Sequence, residues 1–232
     1  SFMDRNNCGN LTQMMNQVAI DGPAASGKTT IGKRLAENLH YVFLDTGLMY
    51  RAATWLVISH AISLENEDAI TQKIFEAQIH LTINNGSQRI IVNSKDITDM
   101  LHTSAINKSV SNVSKIKGVR DSLIQQQREI AKSDSIVMVG RDIGTVVLPD
   151  ATFKFFLLAS LEVRAQRRLR EMLLKDVNVN PKDVLEEIQN RDKLDSEREL
   201  SPLKPAEESI CINTDSLTIE GVVTDILQII KA

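Results

Sequence analysis

The sequence reads Gly22-Pro23-Ala24-Ala25-Ser26-Gly27-Lys28-Thr29 directly after a short apolar run, Val18–Ile20. The spacing of its glycines, lysine and threonine is that of a phosphate-binding P-loop. Apolar side chains at helical spacing follow it, at Ile31, Leu35 and Leu39. A strand, a glycine-rich loop and a helix in this order predict that backbone amides and a helix N-terminus surround a phosphate group.

Two side chains of this loop suit the phosphates of a nucleotide. We expect Lys28 to reach the β- and γ-phosphates, and the hydroxyl of Thr29 to bind the Mg²⁺ that accompanies ATP. By itself, the motif predicts nucleotide binding and does not specify a reaction.

Length and composition indicate one globular domain. The 232 residues are 42% apolar and include 27 basic and 30 acidic residues, for a net charge of −3. This balance argues against a protein that coats nucleic acid, and no apolar run is long enough to cross a membrane. Two distant cysteines argue against a disulfide framework. We therefore expect a cytoplasmic monomer whose partners are small molecules, with no nucleic acid or membrane partner.

Further apolar runs predict the strands of a buried parallel sheet. Helical patterns separate these runs, which are Val18–Ile20, Val42–Leu44, Ile136–Val139, Phe153–Leu158 and Ile210–Ile212. The alternation predicts an α/β fold with a doubly wound parallel sheet of the P-loop NTPase type, flanked by helices. Polar residues follow the strands at Asp21, Asp45-Thr46 and Gly140–Asp142. Ligands of such sheets bind at these carboxyl ends.

One stretch departs from this alternation. Two short runs, Ile79–Ile83 and Arg89–Val92, flank the turn-forming residues Asn84–Ser87, which predicts a small β-hairpin inserted on the parallel core. Helices are expected over Thr103–Ser114, Lys117–Lys132, Leu161–Lys175 and Thr218–Ile230, with another that begins at Pro181 after the cap Asn180. The spacing of Arg164, Arg167 and Arg168 places them on one face of their helix.

Three classes of P-loop protein share this motif, and the rest of the sequence distinguishes among them. A GTPase-like switch needs Asn/Thr-Lys-x-Asp, but Asn107-Lys108 is followed by Ser-Val. A motor or transporter ATPase needs an apolar strand that ends in Asp or Asp-Glu, but Ile136–Val139 is followed by Gly-Arg-Asp. A small-molecule kinase is favoured, because two anionic substrates need many cations. Suitable arginines lie in loops or at element ends: Arg51, Arg120, Arg141, Arg191 and Arg198.

The chain resembles the bacterial cytidylate kinases, a family of P-loop nucleoside-monophosphate kinases. The resemblance covers about Val18 to Ile230 and rests on four segments: Ile20–Pro23, Leu44–Arg51, Gly140–Val147 and Arg191–Arg198. It implies transfer of the γ-phosphoryl group of ATP to CMP and dCMP, giving ADP and CDP or dCDP, in pyrimidine nucleotide metabolism.

The resemblance also implies a division of the chain. Residues 17–232 would form one nucleoside-monophosphate kinase domain, whose core is residues 17–45, 117–160 and 205–232. The hairpin would belong to a monophosphate-binding insertion at about 46–116, and a short helical lid would lie at about 161–200. We expect residues 1–16 to be a polar extension in which Ser1 and Phe2, before Met3, are not native.

Individual positions receive roles from the same resemblance. ATP would bind Gly22, Pro23, Ala24, Ala25, Ser26, Gly27, Lys28, Thr29, Thr30 and Arg167, with Mg²⁺ at Thr29. CMP would bind Thr46, Arg51, Ser111, Arg120, Arg141, Asp142, Arg191, Asp195 and Arg198. Of these, Ser111, Arg120 and Asp142 would recognise the cytosine ring, and Asp195 the sugar hydroxyls. Lys28, Arg141 and Arg191 would be catalytic.

Several positions and the acceptor keep alternative interpretations. Ala25 stands where many family members have glycine, which matters if this position needs a positive φ. Asp45 is either a ligand or the cap of the next helix, and Asp142 either reads the base or orients Arg141. Ser111 is either a base reader or an ordinary exposed helix serine. Alternative functions are a kinase of UMP or shikimate, and a nucleotide-binding regulatory protein without transfer activity.

Overall fold

A computed structural model describes residues 15–84, 87–174, 177 and 179–232 of the chain. Its strands are β1 (Gln17–Asp21), β2 (Val42–Asp45), β3 (Ile79–Asn84), β4 (Ser87–Val92), β5 (Lys95–Asp96), β6 (Ile136–Gly140), β7 (Phe153–Leu158) and β8 (Ile210–Asn213). Its α-helices are α1 (Lys28–Leu39), α2 (Thr46–Ser59), α3 (Glu67–Glu76), α4 (Ser104–Ser114), α5 (Lys117–Ala131), α6 (Leu161–Leu173), α7 (Pro181–Glu197) and α8 (Ile219–Lys231).

The centre of the fold is a parallel sheet with the strand order β2-β6-β1-β7-β8. Chain neighbours β1 and β2 are separated by β6, as the crossover connections of a doubly wound sheet require. Asp21 lies opposite Gly140, and Asp45 lies opposite Val139. The register therefore brings the predicted polar residues together at the carboxyl ends of β1, β2 and β6.

The apolar runs form strands because both faces of the sheet are covered. One face packs with α2 and α5 in a core that includes Leu44, Met138 and Leu123. The other face packs against α1 and α8, around Leu35 and Ile226. The predicted α/β fold is confirmed, and each predicted strand of the core lies within one residue of its observed bounds at either end.

The inserted hairpin is also present. β3 and β4 pair antiparallel, with Ile79 opposite Val92, and β5 continues this second sheet. Of the predicted turn, Asn85 and Gly86 lie outside the described residues. The prediction did not include α3, which begins after the cap Asn66, whose side chain accepts a hydrogen bond from Ala69.

Capping residues mark the starts of two helices, of which the cap Asn180 was predicted. The side chain of Asn180 accepts from the Lys182 amide before α7, and the Thr218 hydroxyl accepts from the Gly221 amide before α8. Helix α6 ends at Leu173, whereas the prediction extended it to Lys175, which lies outside the described residues. Within the part of the chain that the structure describes, no helix combines the length and apolar character that a membrane span requires.

A short π-helical segment, Ile143–Val147, follows β6 and was not predicted. The amides of Val146 and Val147 both donate to the carbonyl of Asp142, and the Arg128 guanidinium donates to the carbonyls of Val146 and Val147. These hydrogen bonds hold the chain in a compact turn immediately after Gly140-Arg141-Asp142.

Helix α1 packs unusually close to the sheet at Gly32. A Cβ atom there would lie 2.5 Å from Val139 Cγ1 and 3.0 Å from Phe43 Cε2. Gly32→Ala should lower the free energy of unfolding by about 1–3 kcal/mol, because the overpacking outweighs the better helix propensity of alanine. Urea denaturation measures this. Gly221→Ala is the control, since a Cβ there meets only Thr218 Oγ1 within 4 Å; equal effects of the two changes would contradict the packing argument.

Candidate active site

The phosphate-binding segment Gly22–Thr30 joins β1 to α1 and includes the first turn of that helix. Gly27 precedes the helix with φ 92°, and no side chain caps the first turn. Because the first amides of a helix lack partners within it, this end of α1 presents hydrogen-bond donors and positive potential. The local geometry is therefore that of an anion site, as the motif predicted.

Ala25 has a positive φ of 57° within the same loop. This left-handed conformation costs an alanine about 1–2 kcal/mol, because Cβ approaches the following carbonyl. The departure from glycine at this position is therefore a source of backbone strain.

Lys28 is 7% exposed, and its Nζ donates to the Pro23 carbonyl at 2.8 Å. Burial, followed by repulsion from Arg141 and Arg191, holds the pKa of Lys28 well below its ordinary value. An anion beside this ammonium would counter both effects.

Asp45 has two roles in this region. Its Oδ1 accepts from the Gly47 amide at 2.9 Å and caps α2, which confirms one of its two interpretations. Its Oδ2 accepts from the Thr29 hydroxyl at 2.7 Å. The end of β2 is thereby tied to the first turn of α1, and two side-chain oxygens lie side by side there.

A pocket lies beside the loop at the carboxyl ends of β2 and β6. It is lined by Asp45, Thr46, Gly47, Tyr50, Val110, Ser111, Ser114, Arg120, Gly140, Arg141, Asp142, Arg191, Asp195 and Arg198. The structure thus brings together every residue predicted to bind CMP except Arg51. The hydroxyl of Thr46 lines the pocket but donates to the Val139 carbonyl at 2.9 Å.

One end of the pocket is built around Asp142, which is 3% exposed. Asp142 forms a buried ion pair with Arg120, and its other oxygen lies 3.8 Å from Arg198. Arg120 also donates to the Ser114 carbonyl at 3.1 Å and stacks over the Tyr50 ring at 5.4 Å. Asp142 pairs with Arg120, whereas Arg141 pairs with Asp195, which disfavours the alternative in which Asp142 orients Arg141. Base recognition by Asp142 stays a prediction.

Ser111 lies on the wall of the same end. It is 9% exposed, so the interpretation as an exposed helix serine is wrong.

The other end of the pocket is cationic. Arg141 Nε donates to Asp195 Oδ2 at 2.8 Å, and Arg191 lies beside both. Burial and then repulsion from Arg141 lower the pKa of Arg191 to about 10. Burial alone would raise the pKa of Asp195, but Arg141 and Arg191 outweigh it and the pKa is lowered. This end therefore carries an excess of positive charge.

Arg51 lies behind this end rather than on the pocket wall. Its guanidinium donates to the Leu101 carbonyl at 2.9 Å and to Asn107 Oδ1 at 2.6 Å. Burial, followed by repulsion from Arg191, lowers its pKa to about 10. Its predicted contact with the CMP phosphate stays a prediction.

The three arginines that were predicted to share one face of α6 divide into two groups. Arg164 donates to the carbonyl of Ala24 and pairs with Asp192, while Arg167 donates to the Ser26 carbonyl and to Thr214. Both therefore bind the backbone of the phosphate loop. Arg168 instead acts on the site, since its charge lowers the pKa of Arg51 and of Arg191. The assignment of Arg167 to ATP stays a prediction.

Some residues of the site were not predicted. Tyr50 and Ser114 line the pocket, and Asp192 accepts from the Ala24 amide at 3.4 Å. Helical spacing could have indicated the first two, because Tyr50 lies four residues after Thr46 and Ser114 three after Ser111.

The sheet order, the phosphate loop and the adjoining cationic pocket define a P-loop phosphotransferase that binds a second anion. Comparison with known proteins supports this class. The family model described as cytidylate kinase matches residues 18–232, and the chain belongs to the cytidylate kinase family.

Individual proteins give the same result. The chain is 46% identical to a cytidylate kinase of Bacillus licheniformis over 92% of its length and 95% of that protein. It is 45% identical to one of Bacillus velezensis, over 92% and 96%. A solved structure of an uncharacterized protein from Eubacterium ventriosum matches with a TM-score of 0.51 and 14% identity, covering 94% of this chain and 99% of that one. This last likeness concerns the fold alone.

Strain at Ala25 can be measured directly. Ala25→Gly should raise the free energy of unfolding by up to about 1 kcal/mol, because glycine adopts a positive φ freely but loses more backbone entropy on folding. Chemical denaturation provides the value. Ala24→Gly is the matched control and should destabilise the protein, because Ala24 is buried against Ala165, Val184 and Ile188. Destabilisation by both changes would contradict the strain.

Proposed function

We propose that this protein transfers the γ-phosphoryl group of ATP to CMP and dCMP. One observation carries the choice of acceptor: a buried carboxylate, Asp142, lies at the end of the pocket that also contains Arg120 and Ser111. The opposite end is cationic and adjoins the phosphate loop. A ligand with a polar ring at one end and a phosphate at the other matches this arrangement.

The phosphate loop would hold the donor. Residues Gly22–Thr30 would surround the ATP phosphates, with Lys28 nearest the transferred group. The oxygens of Thr29 and Asp45 fit Mg²⁺, which prefers oxygen ligands and keeps several waters. Within the described ranges no cluster of three His, Cys, Asp or Glu side chains could hold a metal ion by itself. We expect Mg²⁺ to bind together with ATP and to offset charge on its phosphates.

The cationic end would hold the acceptor phosphate. Arg141 and Arg191 carry donors that suit phosphate oxygens, and the charges of Arg51 and Arg168 also act on this end. Arg198 lies 3.8 Å from Asp142 at the other end and within electrostatic reach of Asp195, so it would contact the phosphate from between the two ends. The lowered pKa of Arg191 and of Lys28 reflects burial and mutual repulsion, both of which a bound dianion would offset. Asp195, already paired with Arg141, would accept from the sugar hydroxyls.

Recognition of the base would follow from the donors and acceptors at the other end. Cytosine presents an amino donor, a ring-nitrogen acceptor and a carbonyl acceptor. Asp142 has lone pairs beyond those that face Arg120 and Arg198, so it can accept from the amino group. Arg120 and Ser111 would donate to the two acceptors. Uracil would place a carbonyl against Asp142 and bind less well.

The transfer itself needs no covalent enzyme intermediate. A phosphate oxygen of CMP attacks the γ-phosphorus, and the bond between that phosphorus and the β-γ bridging oxygen breaks to leave ADP. Lys28, Arg141 and Arg191 would stabilise the charge that spreads over the transferred group. Closure of the insertion at about 46–116 and the lid at about 161–200 would exclude water and suppress ATP hydrolysis. We expect a monomer to suffice, because one chain supplies the whole pocket.

An acceptor panel tests this function against a kinase of another acceptor or a regulatory protein without transfer. ADP release should be fast with CMP and dCMP, slower with UMP, and negligible with AMP, GMP or shikimate. Lys28→Ala should lower turnover at least about 100-fold, since it removes a charge next to the transferred group. A coupled ADP assay measures all of these. Equal rates with every acceptor, or ATP loss without acceptor, would contradict the proposal.

Asp142 gives a sharper test of base recognition. Asp142→Ala should lower kcat/KM for CMP about 10- to 100-fold, because a charged hydrogen bond is lost, and should lower that for UMP much less. Steady-state kinetics with both acceptors supply the ratio. Asp195→Asn is the comparison, because a sugar contact should affect both acceptors alike. An equal loss of kcat/KM for CMP and for UMP in Asp142→Ala would mean that Asp142 has a structural role only.

A further inference from the structure

Asp21 connects the two halves of the site without lining the pocket. It ends β1, directly before the phosphate loop, and is 3% exposed. Its Oδ1 accepts from the Ile143 amide and its Oδ2 from the Gly144 amide, each at 2.8 Å. Its backbone lies opposite Gly140 in the sheet. One residue therefore holds the chain on both sides of Arg141 and Asp142.

The turn between those two anchors is not fixed by the sheet. Strand β6 ends at Gly140, and the next two side chains reach to different helices. Arg141 pairs with Asp195 on α7, and Asp142 pairs with Arg120 on α5. A small shift of this turn would misplace both side chains at once, and misplacements of this size are costly in catalysis.

The ionised carboxylate is the form of Asp21 that accepts best from both amides. Two N–H donors face Asp21, and a carboxylate is acceptor-only, whereas its protonated form carries an O–H donor. Burial raises the pKa of Asp21 to about 6, and Asp142 adds to this, while the two amides and Lys28 oppose it. As the pH falls through about 6, protonation therefore places an O–H on one of these oxygens and weakens it as an acceptor for its amide.

We propose that Asp21 is a positioning residue for phosphoryl transfer, which holds the acceptor-binding turn Arg141-Asp142 against the strand that carries the phosphate loop. The inference rests on the proposed function, in which Arg141 and Asp142 contact the acceptor. Asp21 acts through these two residues.

Asp21→Asn tests the role with little change in volume, because the amide offers one acceptor and one donor. We expect kcat/KM for CMP to fall at least about tenfold, with a matching loss of CMP affinity in calorimetry. We expect the KM for ATP to change much less, since the loop backbone does not depend on these two bonds. Asp225→Asn, at an exposed position of α8, is the control and should behave as the wild type.

A pH profile separates positioning from general support of the fold. Cytidine lacks a phosphate, so its inhibition constant does not report the ionisation of a ligand phosphate. The affinity of the wild type for cytidine should fall as the pH drops through about 6, as Asp21 becomes protonated. In Asp21→Asn it should already be low and should vary less with pH. If Asp21→Asn does not fold, the profile of the wild type decides by itself.

Three results would overturn the proposal. One is an unchanged CMP affinity and rate in Asp21→Asn. Another is that Asp21→Asn loses affinity for ATP and for CMP equally and keeps the pH profile of the wild type. The third is a pH-independent affinity of the wild type for cytidine across the same range. Failure of the proposed function is distinct, because the wild type would then show no turnover of CMP at all.

Discussion

Repulsion between cations in one small pocket is the constraint on which the site depends. Arg141, Arg191, Arg198 and Lys28 lie within electrostatic reach of one another or of common neighbours, and burial removes the water that would screen them. Two buried carboxylates, Asp142 and Asp195, offset part of this charge by pairing with Arg120 and Arg141. The site therefore carries an excess of positive charge, which the negative charge of bound phosphates would offset.

The sheet makes such an assembly possible. Parallel strands end at the same edge, so residues far apart in sequence meet there without any local preference for one another. Asp45 ends β2, Arg141 follows β6, and the phosphate loop follows β1. Helices α5 and α7 then supply Arg120 and Asp195 across the pocket. In folds of this type the sheet forms a rigid core, and the segments that follow the strands bind the ligand.

Much of this architecture could be predicted from the sequence, because the signals are local. Continuous apolar runs predicted the strands, Asn180 and Thr218 marked helix starts, and the glycine and lysine spacing marked the loop. The family resemblance supplied nine residues for the acceptor site, of which eight line the pocket and Arg51 does not.

Other features could not be predicted, because they arise from tertiary contacts. Asp142 pairs with Arg120 across 22 positions, and Asp21 binds the amides of Ile143 and Gly144 more than a hundred residues away. The π-helical segment and the positive φ of Ala25 likewise depend on packing that no short pattern encodes. The acceptor-side network is therefore visible only in the folded chain.

Contacts between the phosphate loop and helices α6 and α7 bear on how the molecule can move. Arg164 and Asp192 both bind the backbone of Ala24, and they also bind each other. These bonds join the loop to both helices, so a displacement of either helix would also displace the backbone of Ala24. If ATP binds the loop as proposed, release of the nucleotide would be coupled to movement of α6 and α7.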